Sequence, residues 1–151
     1  MRLRLLPSSV AERVATGAFI LHSGLDKWNG PAEQAEGVHA LAANAFPFLK
    51  SVPPERFLKM LAAGEVVTGA LLLAPFVPNA LAGAALTGFS GSLLAMYART
   101  PSMRKPGSVW PSPAGIAVSK DVWMLGIGLG LLARGLRRTD PATAHSAETS
   151  F

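Results

Sequence analysis

The run FLKMLAAGEVVTGALLLAPFVPNALAGAALTGFSGSLLAMYA, residues 57–98, decides the architecture of this chain. Within it only Lys59 and Glu65 carry charge, and the helix breakers are Pro75 and Pro78. The apolar stretch on either side of those prolines is about 20 residues, enough to cross roughly 30 Å of hydrocarbon at 1.5 Å per helical residue. Neither half is confined to the narrow apolar stripe of a soluble surface helix. Two transmembrane helices are expected, over about 57–76 and 77–98. The tight turn between them makes them antiparallel.

Two further segments of similar length flank this pair. VAERVATGAFILHSGLDKW (10–28) and AGIAVSKDVWMLGIGLGLLARGL (114–136) are apolar on most sides and carry few charges. The expected fold is therefore all-α, an integral membrane four-helix bundle occupying residues 1–138. Arg2 and Arg4 before an apolar run also suit a signal peptide, but Glu12 and Arg13 interrupt its apolar region, so the first helix is read as retained. The first connection contains AEQAEGVHALAANAFPFLK (32–50), which can form an amphipathic interfacial helix before Pro53 and Pro54. The third connection (99–113) is proline-rich, and Tyr97 and Trp110 are placed for the headgroup level. The tail, 139–151, reads as polar and disordered.

Composition agrees. Of 151 residues 50% are hydrophobic and 15% charged, against roughly 25% charged in an average soluble domain. With no cysteine, disulfides, thiolate metal sites, iron–sulfur ligation and thiol redox chemistry are excluded together. The net charge of +5 is read as juxtamembrane attraction to anionic lipid rather than nucleic-acid binding, because no basic element with aromatic platforms is present. Basic residues nearly balance between the two sides; the first helix favours both termini in the cytoplasm.

Ionisable groups inside spans are costly unless paired, which makes each one a site candidate. By depth along the helices, Glu65, Lys120, Asp121, His22, Lys27, Tyr97 and Arg99 can gather in one layer, in the membrane half nearest the two longer loops. Glu65 and Lys120 are the expected pair. Lys120 and Asp121 point about 100° apart, so one meets Glu65 while the other meets His22, Lys27 or Arg99. Arg13 is expected near the opposite surface, snorkelling or pairing with Glu12. Such a layer either performs chemistry or only fixes packing register. One imidazole makes no metal site, and His39 and His145 add no ligand. Lys59 is read as snorkelling. The small-residue spacings at Gly126/Gly130, Ala84/Gly88 and Gly88/Ser92 are read as helix-packing positions. Gly126, Gly128 and Gly130 are not a dinucleotide fingerprint, and no catalytic motif is present.

Arg13-x-x-x-Gly17 followed by Phe19-Ile-x-x-Ser-Gly24-x-x-Lys27-Trp28 resembles the opening helix of DoxX-like membrane proteins. Glu65-x-x-x-Gly69-x-x-Leu72-Leu73 resembles their second helix, and Lys120-Asp121 before a Leu/Gly-rich helix is similar to their last. The resemblance implies a small bacterial cytoplasmic-membrane protein, without established roles for Arg13, Glu65 or Lys120. It also implies a non-catalytic subunit or scaffold of a redox or oxidative-stress complex, with soluble or membrane redox partners. A second class is a quinone- or lipid-binding protein, its apolar slot flanked by Phe89, Met96, Trp123 and Met124. A third is a proton-coupled transporter, which four helices could form only as a homo-oligomer, and no broken-helix pair supports it.

Overall fold

Ser9 leads into α1 (Val10–Trp28), which has Glu12 in its first turn and Lys27 in its last, the signs that suit each end of a helix dipole. The computed structural model describes residues 9–139, all helices and connections with no strand among them. After Pro31 comes α2 (Ala32–Ala45), then a 3-10 turn over Pro47–Ser51. α3 (Pro54–Leu73) begins three residues before the expected 57, because Pro54 occupies a first-turn position that needs no N–H donor. It ends before the expected 76. The residue preceding a proline avoids the helical region, and Ala74, just before Pro75, is extended at φ −70°, ψ 115°.

The turn 74–78 is closed by a Val77 N–H to Ala74 carbonyl bond of 3.1 Å and delivers α4 (Asn79–Arg99). Pro101–Met103 forms a second 3-10 turn, after which the chain doubles back on itself, with Arg104 bridging to Pro111. Gly107, at φ 66°, occupies the left-handed position of that turn, a conformation glycine adopts without penalty. The expected single helix over 114–136 is divided into α5 (Ile116–Ser119) and α6 (Asp121–Thr139). Their junction is a tightened turn in which Trp123 N–H reaches the Lys120 carbonyl at 3.0 Å. The expected disordered tail lies outside the described residues apart from Thr139.

Two tight antiparallel pairs organise the bundle, α1 against α3 and α4 against α6. Each pair meets backbone to backbone at glycine. A Cβ on Gly17 would come within 2.9 Å of Leu72 Cβ, and one on Gly69 within 2.7 Å of the Leu21 nitrogen. In the second pair a Cβ on Gly128 would lie 2.7 Å from Thr87 Oγ1, while Gly83 and Gly135 press on Leu132 and Ala80. This corrects the expected packing positions: Gly126 and Gly88 face open space, and Gly130 has only Arg134 at 3.9 Å. Overpacking costs about 1–3 kcal/mol, so Gly128→Ala is expected to lower stability in detergent denaturation by that amount. Gly88→Ala should be neutral, or stabilising by up to about 1 kcal/mol from helix propensity.

Between the pairs lies a core of Ile20, Leu72, Val77, Ala82, Leu86 and Leu131. A second cluster at the loop end joins Ala42 and Ala45 of α2 to Met96 and Met103. His39, silent in the sequence, fastens this end: its Nε2 lies 2.9 Å from the Leu49 carbonyl and its ring stands edge-on to Phe57. Phe19, Val67, Leu81 and Leu129 are about half exposed, while Arg13 and Glu65 are buried. α4 and the stretch Ile116–Arg138 are long and apolar enough to cross a membrane. α1 and α3 carry more charge, with Glu12, Arg13, Asp26 and Lys27 on one and Glu55, Arg56, Lys59 and Glu65 on the other.

Candidate functional site

The inward face of α1 runs Arg13, Gly17, Ile20, Gly24, Lys27, and that of α3 runs Leu58, Ala62, Glu65, Gly69, Leu72; all are buried except Lys27, which is partly so. Spacings of three and four residues keep each set on one side of its helix. Gly24 sits directly against Ala62 and Glu65, so the absence of a side chain there lets the carboxylate lie between the two helices. The Lys27 ammonium closes over it, 3.2 Å from Oε1 and 3.1 Å from Oε2. Ser23, one turn before Lys27 on the same face, donates to Glu65 Oε1 at 3.2 Å and accepts from Lys27 Nζ at 2.6 Å. Lys27 also donates to the Ser23 carbonyl at 3.3 Å. Asp121, in the first turn of α6, lies close enough to interact electrostatically with Glu65, Lys120 and Lys27. The layer is thus Ser23, Lys27, Glu65 and Asp121.

The expected partner of Glu65 is displaced. Lys120 is exposed, and its ammonium stands 6.0 Å from the Phe19 ring centroid. His22 points outward, 77% exposed, beside Asp26 at 3.5 Å. Tyr97 donates to the Val109 carbonyl at 2.7 Å and so pins the loop after α4. Arg99 stacks over Phe46 at 5.0 Å. The structure therefore pairs Lys27 with Glu65, sets Asp121 within electrostatic range of Glu65, Lys120 and Lys27, and leaves His22, Tyr97 and Arg99 elsewhere. The expected slot residues also disperse: Met96 belongs to the loop-end cluster, Met124 packs on the central core, and Trp123 is 70% exposed.

Arg13 forms a second polar centre at the opposite end. Neither snorkelling nor paired with Glu12, it points inward and spends every N–H. Its Nε donates to the Leu72 carbonyl at 2.8 Å, and Nη1 to the Val77 carbonyl at 2.8 Å and Asn79 Oδ1 at 2.9 Å. Nη2 donates to the Leu71 and Ala74 carbonyls at 3.0 and 2.8 Å. Helix C-termini leave carbonyls without intrahelical partners and carry partial negative charge; the guanidinium meets both needs for α3 and fixes its turn into α4. Glu12 pairs instead with Arg134 of α6. Asn79 also donates to Ser9 Oγ at 3.2 Å. Sequence reading missed Ser23 and Asn79; the i,i+4 relation of Ser23 to Lys27 was the available signal.

Chemically, the central layer is a Lys27–Glu65 ion pair bridged by the Ser23 hydroxyl, with a second carboxylate, Asp121, within electrostatic range. Among the described residues no cluster of three His, Asp or Glu that could hold a metal occurs. A cleft of about 690 Å³ opens at the turn end beside Arg13, Phe76 and Arg138, and others of about 410, 260 and 310 Å³ lie at the loop end. None of these four is lined by Glu65 or Lys27. Comparison with family models, curated proteins and solved structures returns no match for this chain.

Proposed function

We propose that this chain is a multi-pass membrane protein of the DoxX-like kind, serving as a non-catalytic subunit or scaffold in a membrane-associated redox or oxidative-stress complex. One observation carries the membrane reading: two ionisable side chains are buried and satisfied inside the bundle while many large apolar ones face outward. Arg13 and Glu65 are 8% and 7% exposed, while large apolar side chains such as Phe19, Val67 and Leu129 face outward. Water would reverse that arrangement, whereas a bilayer requires polar groups to be satisfied inside the protein. On this reading α1 and α3 cross beside the two more apolar spans, because their buried charges are held in the Lys27–Glu65 pair and the Arg13 cap. α2 and the loop hairpin then lie at one surface, and the turn at Phe76 at the other, cytoplasmic one with both termini.

The non-catalytic part rests on the closed character of the layer. Lys27 and Glu65 are paired and bridged by Ser23, and of the residues expected to flank a quinone Met96, Met124 and Trp123 stand in three different surroundings. The test is isolation of the tagged full chain in mild detergent at native expression level. Partner proteins are expected in fixed proportion, with no stoichiometric quinone in the lipid extract. A partner-free species would overturn the scaffold reading, and stoichiometric quinone would replace it with ligand binding.

A further inference from the structure

The outward face of α1 carries a polar pair that the bundle does not use. Ala11, Ala15, Ala18, His22 and Asp26 recur every three or four residues and are all exposed. They lie on the side of α1 opposite the buried Arg13–Gly17–Ile20–Gly24 line. His22 and Asp26 contact each other at 3.5 Å, and their side chains are 77% and 71% exposed. Counting back from Trp28 at 1.5 Å per residue, His22 lies about 9 Å inside the helix end. On the membrane reading, which this inference rests on, His22 therefore faces lipid below the helix end, while Asp26, about 3 Å from that end, stands near the surface.

We propose that a second copy of this chain covers that face, forming a dimer through α1. A copy in the same bilayer has the same orientation, so it presents a histidine and a carboxylate at the same depth. Around a twofold axis along the membrane normal, His22 of one copy reaches Asp26 of the other as well as its own. The interface is isologous, each copy offering both halves of the complementary pair. The alanines at 11, 15 and 18 let the two helix backbones approach along the rest of the crossing, as small residues do between membrane helices. An unrelated partner would have to match both depth and charge; a second copy does so by construction.

The natural chain lacks cysteine, so single cysteines placed in the full-length protein report contacts without background. In native membranes, Ala15→Cys and Ala18→Cys should give disulfide-linked dimers on mild oxidation. Val67→Cys on α3 and Leu129→Cys on α6, also outward-facing, should give at least fivefold less. Adding His22→Ala and Asp26→Ala to Ala18→Cys should reduce its dimer yield at least fivefold. Equal crosslinking at all four positions, none at 15 and 18, or linkage there only to a different protein would overturn the proposal. An alkaline carbonate wash of the same membranes separates the two readings. Retained but uncrosslinked protein defeats only the dimer, whereas protein released by the wash defeats the membrane reading beneath it.

Discussion

Arg13→Ala is expected to be among the most destabilising single substitutions in the chain. Four backbone carbonyls and Asn79 accept from this one buried guanidinium, and each hydrogen bond to a charged group contributes about 1.5–3 kcal/mol. The contributions are not additive, because water or a shifted turn recovers part of them. A loss of about 3–5 kcal/mol in detergent denaturation is the expected result, with the α3–α4 turn becoming protease-sensitive. Arg13→Lys should recover less than half, since an ammonium supplies three donors from one point and cannot reproduce the planar fork. Full recovery by lysine would mean that charge alone, rather than the capping geometry, matters there.

Glu65→Ala is expected to cost about 3–5 kcal/mol, because it leaves the Lys27 ammonium partly buried without its carboxylate. Lys27→Met should be comparably costly, stranding the carboxylate instead. The double variant Lys27→Met/Glu65→Leu carries the decisive comparison. A buried pair replaced as a unit by apolar side chains of similar size is often neutral, so the double variant should lie within about 1 kcal/mol of the parent. On the scaffold reading it should also retain whatever proteins co-purify with the parent. If the double variant folds as well as the parent yet loses its partners or activity, the layer acts in function beyond holding α1 to α3.

The fold was legible where the physics is one-dimensional. Apolar length over 57–98 and the two prolines located α3, α4 and their antiparallel turn within a few residues. The site was legible only in part, because depth along a helix fixes one coordinate and direction around it fixes another. His22 and Glu65 occupy compatible depths, yet His22 lies across α1 from the Arg13–Gly17–Ile20–Gly24–Lys27 line that faces α3. Following that line by steps of three and four would have selected Lys27 and Ser23 from α1. Lys120 could not be excluded in this way, since the tightened turn before Asp121 breaks the periodicity that such a count assumes. Arg13 was read by its proximity to Glu12, whereas five acceptors around the turn outweigh one neighbour on the same helix. Which glycines make contact depends on how two helices are rotated against each other; that is why Gly128 packs while Gly126 and Gly130, two residues away on either side, do not.

The central claim is that all four long helices cross a bilayer, with the polar groups satisfied inside. The most direct measurement is side-specific labelling of single cysteines in the full chain, at Phe76→Cys in the α3–α4 turn and Val109→Cys in the loop after α4. Both positions are strongly exposed, at 85% and 76%, so access to reagent depends on the membrane alone. An impermeant maleimide applied to intact spheroplasts should label Val109→Cys and reach Phe76→Cys only after permeabilisation. Equal labelling of both before permeabilisation would place the turn and the loop on one side, and would contradict the account.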